Sequence, residues 1–204
     1  MIYEFRTYTL QRGKLQEFYK RWAEKLPKRL ELSPLTACWH TEIGPLNQVV
    51  HVWEYKDVNE RSRIRAEAQR MGVWPPNTLE FITDMQSDIL HPLPFSPRIE
   101  PSSHGPFFEM RTYTLKAGTA PQMMAGWEEK LAGRLALSPL IGVFMSDIGA
   151  LNKWVHIWAY KSLDERMAVR KKAIETGVWP PPRPTPMERQ ETKILLPAPF
   201  SPIK

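Results

Sequence analysis

The sequence predicts an α+β fold written twice, each copy running β-α-β-β-α-β. Three observations carry that reading. Residues recur at a fixed offset of 105 along the whole chain, each copy opens on an alternating segment rich in β-formers, and each holds two helix-period stretches flanking a hairpin. Glu4, Arg6, Thr7, Tyr8, Thr9 and Leu10 return as Glu109, Arg111, Thr112, Tyr113, Thr114 and Leu115, and Pro94-Phe95-Ser96-Pro97 returns as Pro199-Phe200-Ser201-Pro202. Roughly 40 of about 97 aligned positions are identical without a gap, far beyond chance for a chain compared with itself, and the period is too long for a solenoid repeat.

Within one copy, Ile2–Leu10 alternates as a strand does. Leu15, Phe18, Tyr19, Trp22, Leu26 and Leu30 follow at helical spacing, with Met123, Met124, Trp127, Leu131 and Leu135 on the same stripe of the second copy. Ser33-Pro34 ends that helix, because a residue before proline avoids the helical region. Leu35–Glu42 and Gln48–Tyr55 read as two strands joined through Gly44–Asn47. Asp57 is placed to cap a second helix running to about Arg70, as Asp164 or Ser162 is in the second copy, and Gly72 or Gly177 stops it. Met85–Leu90 and Gln190–Leu196 are the last strands, completing the split βαβ, ferredoxin-like unit. The two units occupy residues 1–98 and 107–204, and the Pro- and Ser-containing stretch 99–106 has linker composition.

Composition bounds the function. At 42% hydrophobic and 11% aromatic residues the chain can build a packed core, while its apolar runs fall far short of the roughly 20 residues that span a bilayer. The opening residues alternate as a strand and not as a secretory leader. A single cysteine, Cys38, permits no internal disulfide, and the expected compartment is the cytoplasm. The net charge of +6 is spread over Lys14–Arg29, Arg61–Arg70 and Arg166–Lys172, with carboxylates interleaved, which reads as a solvated helix face and not as a nucleic-acid surface. No spacing typical of a metal site, phosphate loop or nucleophile elbow is present, so neither metal nor cofactor is expected.

Strand alternation separates two faces. Tyr3, Phe5, Val50 and Val52 pair across the repeat with Phe108, Met110, Val155 and Ile157, apolar throughout, and read as core. The opposite face carries Glu4, Arg6, Tyr8, His51, Trp53 and Tyr55, repeated unchanged as Glu109, Arg111, Tyr113, His156, Trp158 and Tyr160. Apolar walls with a few directed donors and acceptors are what a small-molecule pocket needs, and these twelve are the candidate ligand-binding residues. His51 and His156 are the candidate acid–base or iron-binding groups, since an imidazole titrates near neutral pH. The bland reading is that Glu4 and Arg6 form a buried ion pair or a cross-strand pair that fixes register, and that the aromatic residues fill the barrel. The recurrent Gly-Val-Trp-Pro-Pro stretch, Gly72–Pro76 and Gly177–Pro181, reads as a rigid loop or as a lid over a barrel mouth, and Ser96 and Ser201 as turn residues.

The opening Tyr3-Glu4-Phe5-Arg6-Thr7-Tyr8, the central Ile43-Gly44-Pro45-Leu46-Asn47 with His51-Val52-Trp53-Glu54-Tyr55, and the same blocks in the second copy make this sequence resemble the NIPSNAP family over essentially its full length. The resemblance implies the dimeric α/β-barrel superfamily, in which two ferredoxin-like units pair their sheets around a shared interior. A tandem chain closes such a barrel within itself or with a second copy as a homo-oligomer. Structural relatives of that kind include small monooxygenases and haem-handling proteins, but the family supplies neither a catalytic residue list nor a substrate. The functional expectation is a small, partly aromatic or anionic ligand held inside the barrel, with or without cofactor-free turnover. The alternative is a non-catalytic interaction protein whose repeated residues only hold the two domains together.

Overall fold

The alternation of Ile2–Leu10 becomes strand β1, and the apolar stripe after it becomes helix α1, Leu15–Leu30. Strands β2 (Leu35–Ile43) and β3 (Gln48–Tyr55) form the hairpin, turning through Gly44 and Asn47 at positive φ. Asp57 caps α2 (Val58–Arg70) by accepting from the amides of Asn59 and Glu60, and Gly72 at φ 65° ends the turn that follows. A short 3-10 turn, Leu79–Phe81, leads into β4 (Ile82–Pro92), a longer strand than the alternation alone marks. The second copy repeats the order with β5 (Phe107–Leu115), α3 (Ala120–Leu135), β6 (Leu140–Ile148), β7 (Lys153–Tyr160), α4 (Leu163–Glu175) and β8 (Met187–Pro197). Ser162 is the cap of α4, accepting from the Glu165 amide. The computed structural model describes residues 1–181 and 187–204.

The eight strands close one barrel in the order β1-β3-β2-β8-β5-β7-β6-β4, with antiparallel neighbours throughout. Each copy contributes four strands, and the joints between copies are β2 with β8 and β4 with β6. The single chain thus removes all four free edges that its two sheets would otherwise expose.

Three buried clusters follow from the closure. One is shared, drawing Tyr3, Phe5, Trp39, Val50 and Val52 from the first copy and Phe108, Met110, Phe144, Ile157 and Leu195 from the second. It fills the barrel, with the Phe144 ring edge-on to Tyr3 at 5.1 Å and to Phe5 at 5.2 Å. The other two lie between sheet and helices, one around Phe18, Trp22 and Trp53, the other around Met123, Trp127 and Trp158.

The copies exchange their tails. Phe200 stacks on Trp22 of the first copy at 6.1 Å and 16°, while Ser201 Oγ accepts from the Cys38 amide at 3.0 Å. Reciprocally, Phe95 stacks on Trp127 at 6.1 Å and 19°, and Ser96 Oγ accepts from the Val143 amide at 3.0 Å. Ser96 and Ser201 therefore satisfy backbone groups of the opposite copy and are more than turn residues. The stretch 99–106 is also built in: Ile99 is buried in the barrel cluster, and Ser102 bridges to Ile203. Among the described residues, no helix is long and apolar enough to cross a membrane.

Candidate functional site

The two faces of the sheet are used opposite to the expectation. The variable apolar face fills the barrel, and the unchanged polar face lies outside it, covered by the helices of its own copy. The reason is volume. Rings and aliphatic side chains of eight strands pack the barrel axis, whereas charged groups are tolerated under helices that supply their counter-charges. The residues expected to face the barrel interior thus lie between sheet and helix, as one layer in each copy. For the same reason the repeated residues tie helix to sheet within a copy, and the two copies are joined by the barrel interior and the exchanged tails.

Glu4 is fully buried, and three arginines converge on it. Arg6 Nη1 donates to Oε1 at 2.8 Å, Arg61 Nη2 donates at 2.5 Å, and Arg65 stands at 3.9 Å. Ser87 Oγ donates to the same oxygen at 2.9 Å. Burial by itself would raise the carboxyl, but the Arg61 hydrogen bond and the Arg6 charge overcome it and hold Glu4 at about 2. Glu109 repeats the arrangement with Arg111 at 3.3 Å, Arg166 at 2.6 Å and Arg170 at 3.7 Å, and it too is held below the usual carboxylate range. Each site therefore carries more positive than negative charge.

A fourth arginine lies beneath. Arg134 is buried with its guanidinium 3.9 Å over the Trp158 ring, donating to Ser138 Oγ at 2.7 Å and to Tyr160 Oη at 2.9 Å. Arg29 does the same over Trp53 at 4.2 Å, with Ser33 and Tyr55. Tyr55 and Tyr160 thus act as acceptors for these cations.

The histidines depart from the acid–base role expected of them. Trp158 Nε1 donates to His156 Nδ1 at 2.8 Å, and Trp53 Nε1 to His51 Nδ1 at 2.8 Å. Because indole only donates, Nδ1 is the acceptor and the ring proton sits on Nε2. Burial, reinforced by Arg111 beside His156 and Arg6 beside His51, pushes both imidazoles well below their usual value. Near neutral pH each ring is a neutral donor with its basic nitrogen already occupied, so it does not accept a proton as a general base.

In the second copy these groups border a cavity of about 310 Å³, at the lower end of the range for small-molecule pockets. Arg111, Arg134 and Arg170 supply charge, His156, Tyr113 and Gln190 supply polar atoms, and Trp158, Trp179, Ile174 and Met187 supply apolar wall. Trp179 belongs to the Gly-Val-Trp-Pro-Pro stretch. It packs edge-on against Trp127 at 4.8 Å and walls this cavity, so the loop is part of the helix–sheet layer and not a cover on the barrel. The continuation of that loop at 182–186 lies outside the described residues. Of the twelve sequence candidates, Glu109, Arg111, Tyr113, His156 and Trp158 meet at the cavity, while Tyr160 lies behind Arg134. Glu4, Arg6, Tyr8, His51, Trp53 and Tyr55 form the counterpart layer in the first copy.

Sequence reasoning missed Arg29 and Arg134, and it took the α2 and α4 arginines for a solvated face. The signal was present: Arg61, Arg65, Arg166 and Arg170 also recur at the offset of 105, and a spacing of four turns both side chains of a helix toward one line.

The structure defines a self-closed dimeric α/β barrel: two ferredoxin-like sheets sharing one interior, each with an arginine-rich layer under its helices. The family profile described as NIPSNAP matches residues 3–97 and again 108–202, so the chain belongs to the NIPSNAP family as a tandem of two repeats. It is 29% identical over 186 residues to a Dictyostelium discoideum protein named NipSnap homolog, covering 87% of this chain and 78% of that one. Human NipSnap homolog 3A is 29% identical over 220 residues, covering 100% of this chain and 86% of that protein. A Fusobacterium nucleatum structure assigned as a monooxygenase superposes with a TM-score of 0.66 over 97% of this chain and 92% of its own, and at 12% identity this shows shared fold alone.

Proposed function

We propose that this protein binds a small anionic ligand with a flat apolar body in the cavity between sheet and helices of a repeat. The observation that carries the reading is the charge imbalance at Glu109: Arg111, Arg166 and Arg170 surround one carboxylate, with Arg134 beneath them, beside a cavity walled by Trp158 and Trp179. A guanidinium fork matches a carboxylate, and an indole face matches a planar ring. The neutral histidine adds a donor and not a base, so the chemistry best suited to the site is recognition of an anion.

Titration of tryptophan fluorescence with 2-naphthoate and its neutral analogue 2-naphthamide tests this. The carboxylate is expected to bind saturably and at least about tenfold more tightly than the amide, as one charge-assisted hydrogen bond predicts. Arg170→Gln, at an accessible position on the cavity, is expected to narrow that gap. Equal binding of acid and amide, or no binding of either, overturns the proposal.

A further inference from the structure

The two copies of the site are the same in sequence at their charged positions, yet their arginines are engaged differently. In the first repeat Arg6 is spent within the protein: Nη1 donates to Glu4 at 2.8 Å and Nε donates to the Tyr8 hydroxyl at 2.8 Å. The layer above it is held down by Arg21, whose guanidinium lies 4.3 Å over the Phe81 ring and donates to Glu80 at 2.6 Å and to the Asn77 carbonyl at 2.6 Å. Phe81 is buried in that repeat's helix–sheet cluster.

In the second repeat Gly126 stands at the position corresponding to Arg21, so that clamp is missing from the sequence. Arg111 donates to Glu109 at 3.3 Å and to Gln190 at 3.4 Å and lies 5.4 Å from the Tyr113 ring centre, much as Arg6 lies over Tyr8, but its Nε is buried without a hydrogen-bond partner among the described residues. An unpaired buried guanidinium N–H costs free energy that an incoming acceptor recovers. Arg111 also borders the cavity directly.

We infer that the duplicated chain carries one anion site and not two: the second repeat binds a carboxylate through Arg111, and the first repeat is a closed copy whose Arg6 serves stability. This rests on the anion-binding reading above and adds stoichiometry, location and the receiving residue.

Isothermal titration of the full chain with 2-naphthoate reads the stoichiometry, with two variants reading the location. One ligand per chain is expected. Arg111→Lys, which keeps the charge and loses the guanidinium fork, should weaken binding at least tenfold. Gln190→Glu, at an exposed position beside Arg111, should do the same by neutralising the receptor without touching the packed layer, so a folding defect in the first variant leaves the inference testable. Two equivalent ligands per chain overturn it, and so does unchanged affinity in Gln190→Glu. If wild-type protein binds no 2-naphthoate, both this inference and the anion reading fail, whereas binding with a stoichiometry of two sinks this inference alone.

Discussion

Trp158 donates its indole N–H to His156 Nδ1 at 2.8 Å, and Trp53 and His51 make the same bond at the same length in the other repeat. Both imidazoles are thereby fixed as neutral Nε2–H tautomers under the helices. A ring that stays neutral when folded and ionises when unfolded binds fewer protons in the fold, so stability rises with pH and is lost as pH falls below the unfolded value of 6.5. Each ring should contribute ~1.4 kcal/mol per pH unit below that point. Urea unfolding between pH 7 and pH 5 checks this: His51→Gln with His156→Gln should flatten the slope by about two protons, and an unchanged slope rejects it.

Glu4 adds a second, more acidic component. Its folded carboxyl sits at about 2 against an ordinary 4.5, so its contribution is complete above 4.5 and drains away as pH falls toward 2. Replacing it removes the counter-charge of Arg6, Arg61 and Arg65 together. Glu4→Gln should therefore cost about 3–5 kcal/mol in denaturant unfolding at neutral pH, the range for breaking a buried ion pair from one side. A loss under about 1 kcal/mol would show that water reaches the arginines and screens them.

The shared interior makes the two repeats one cooperative unit. Phe144 is fully buried and packs against Tyr3 and Phe5 of the other repeat, so Phe144→Ala should destabilise by about 3–5 kcal/mol while keeping a single unfolding transition. Two resolved calorimetric transitions would mean that each repeat holds its own core.

Separated from the second repeat, residues 1–98 would expose the edges of β2 and β4 and the interior face carrying Trp39 and Phe5. Two such copies can reproduce the joints of the barrel, β2 of one against β4 of the other, and exchange their Pro-Phe-Ser-Pro tails. Light scattering of that fragment should give a dimer. A stable, folded monomer is the contrary result.

Much of this architecture was legible in the residues. Alternation marked the first three strands of each copy, the stripe from Leu15 to Leu30 marked α1, Asp57 and Gly72 marked the ends of α2, and the offset of 105 marked the duplication. These features are local, set by side-chain period, capping and backbone freedom, so a linear string records them. The pairing of Glu4 with Arg6 was legible too, because residues two apart on a strand share a face.

Tertiary structure alone decided which face turned inward. Alternation distinguishes two faces without naming either as the barrel lumen, and Tyr3 and Phe5 went inside because four strands from each repeat left room there only for rings and aliphatic chains. Closure also set the tail exchange between Phe200 and Trp22, residues far apart in sequence. It turned Arg61 and Arg166 from a helix surface into counter-ions for a buried carboxylate. Nor do their own motifs separate Arg6 from Arg111, although Arg21 in one repeat and Gly126 in the other differ nearby. What differs is that Arg6 Nε reaches the Tyr8 hydroxyl while Arg111 Nε has no hydrogen-bond partner among the described residues, and packing sets that.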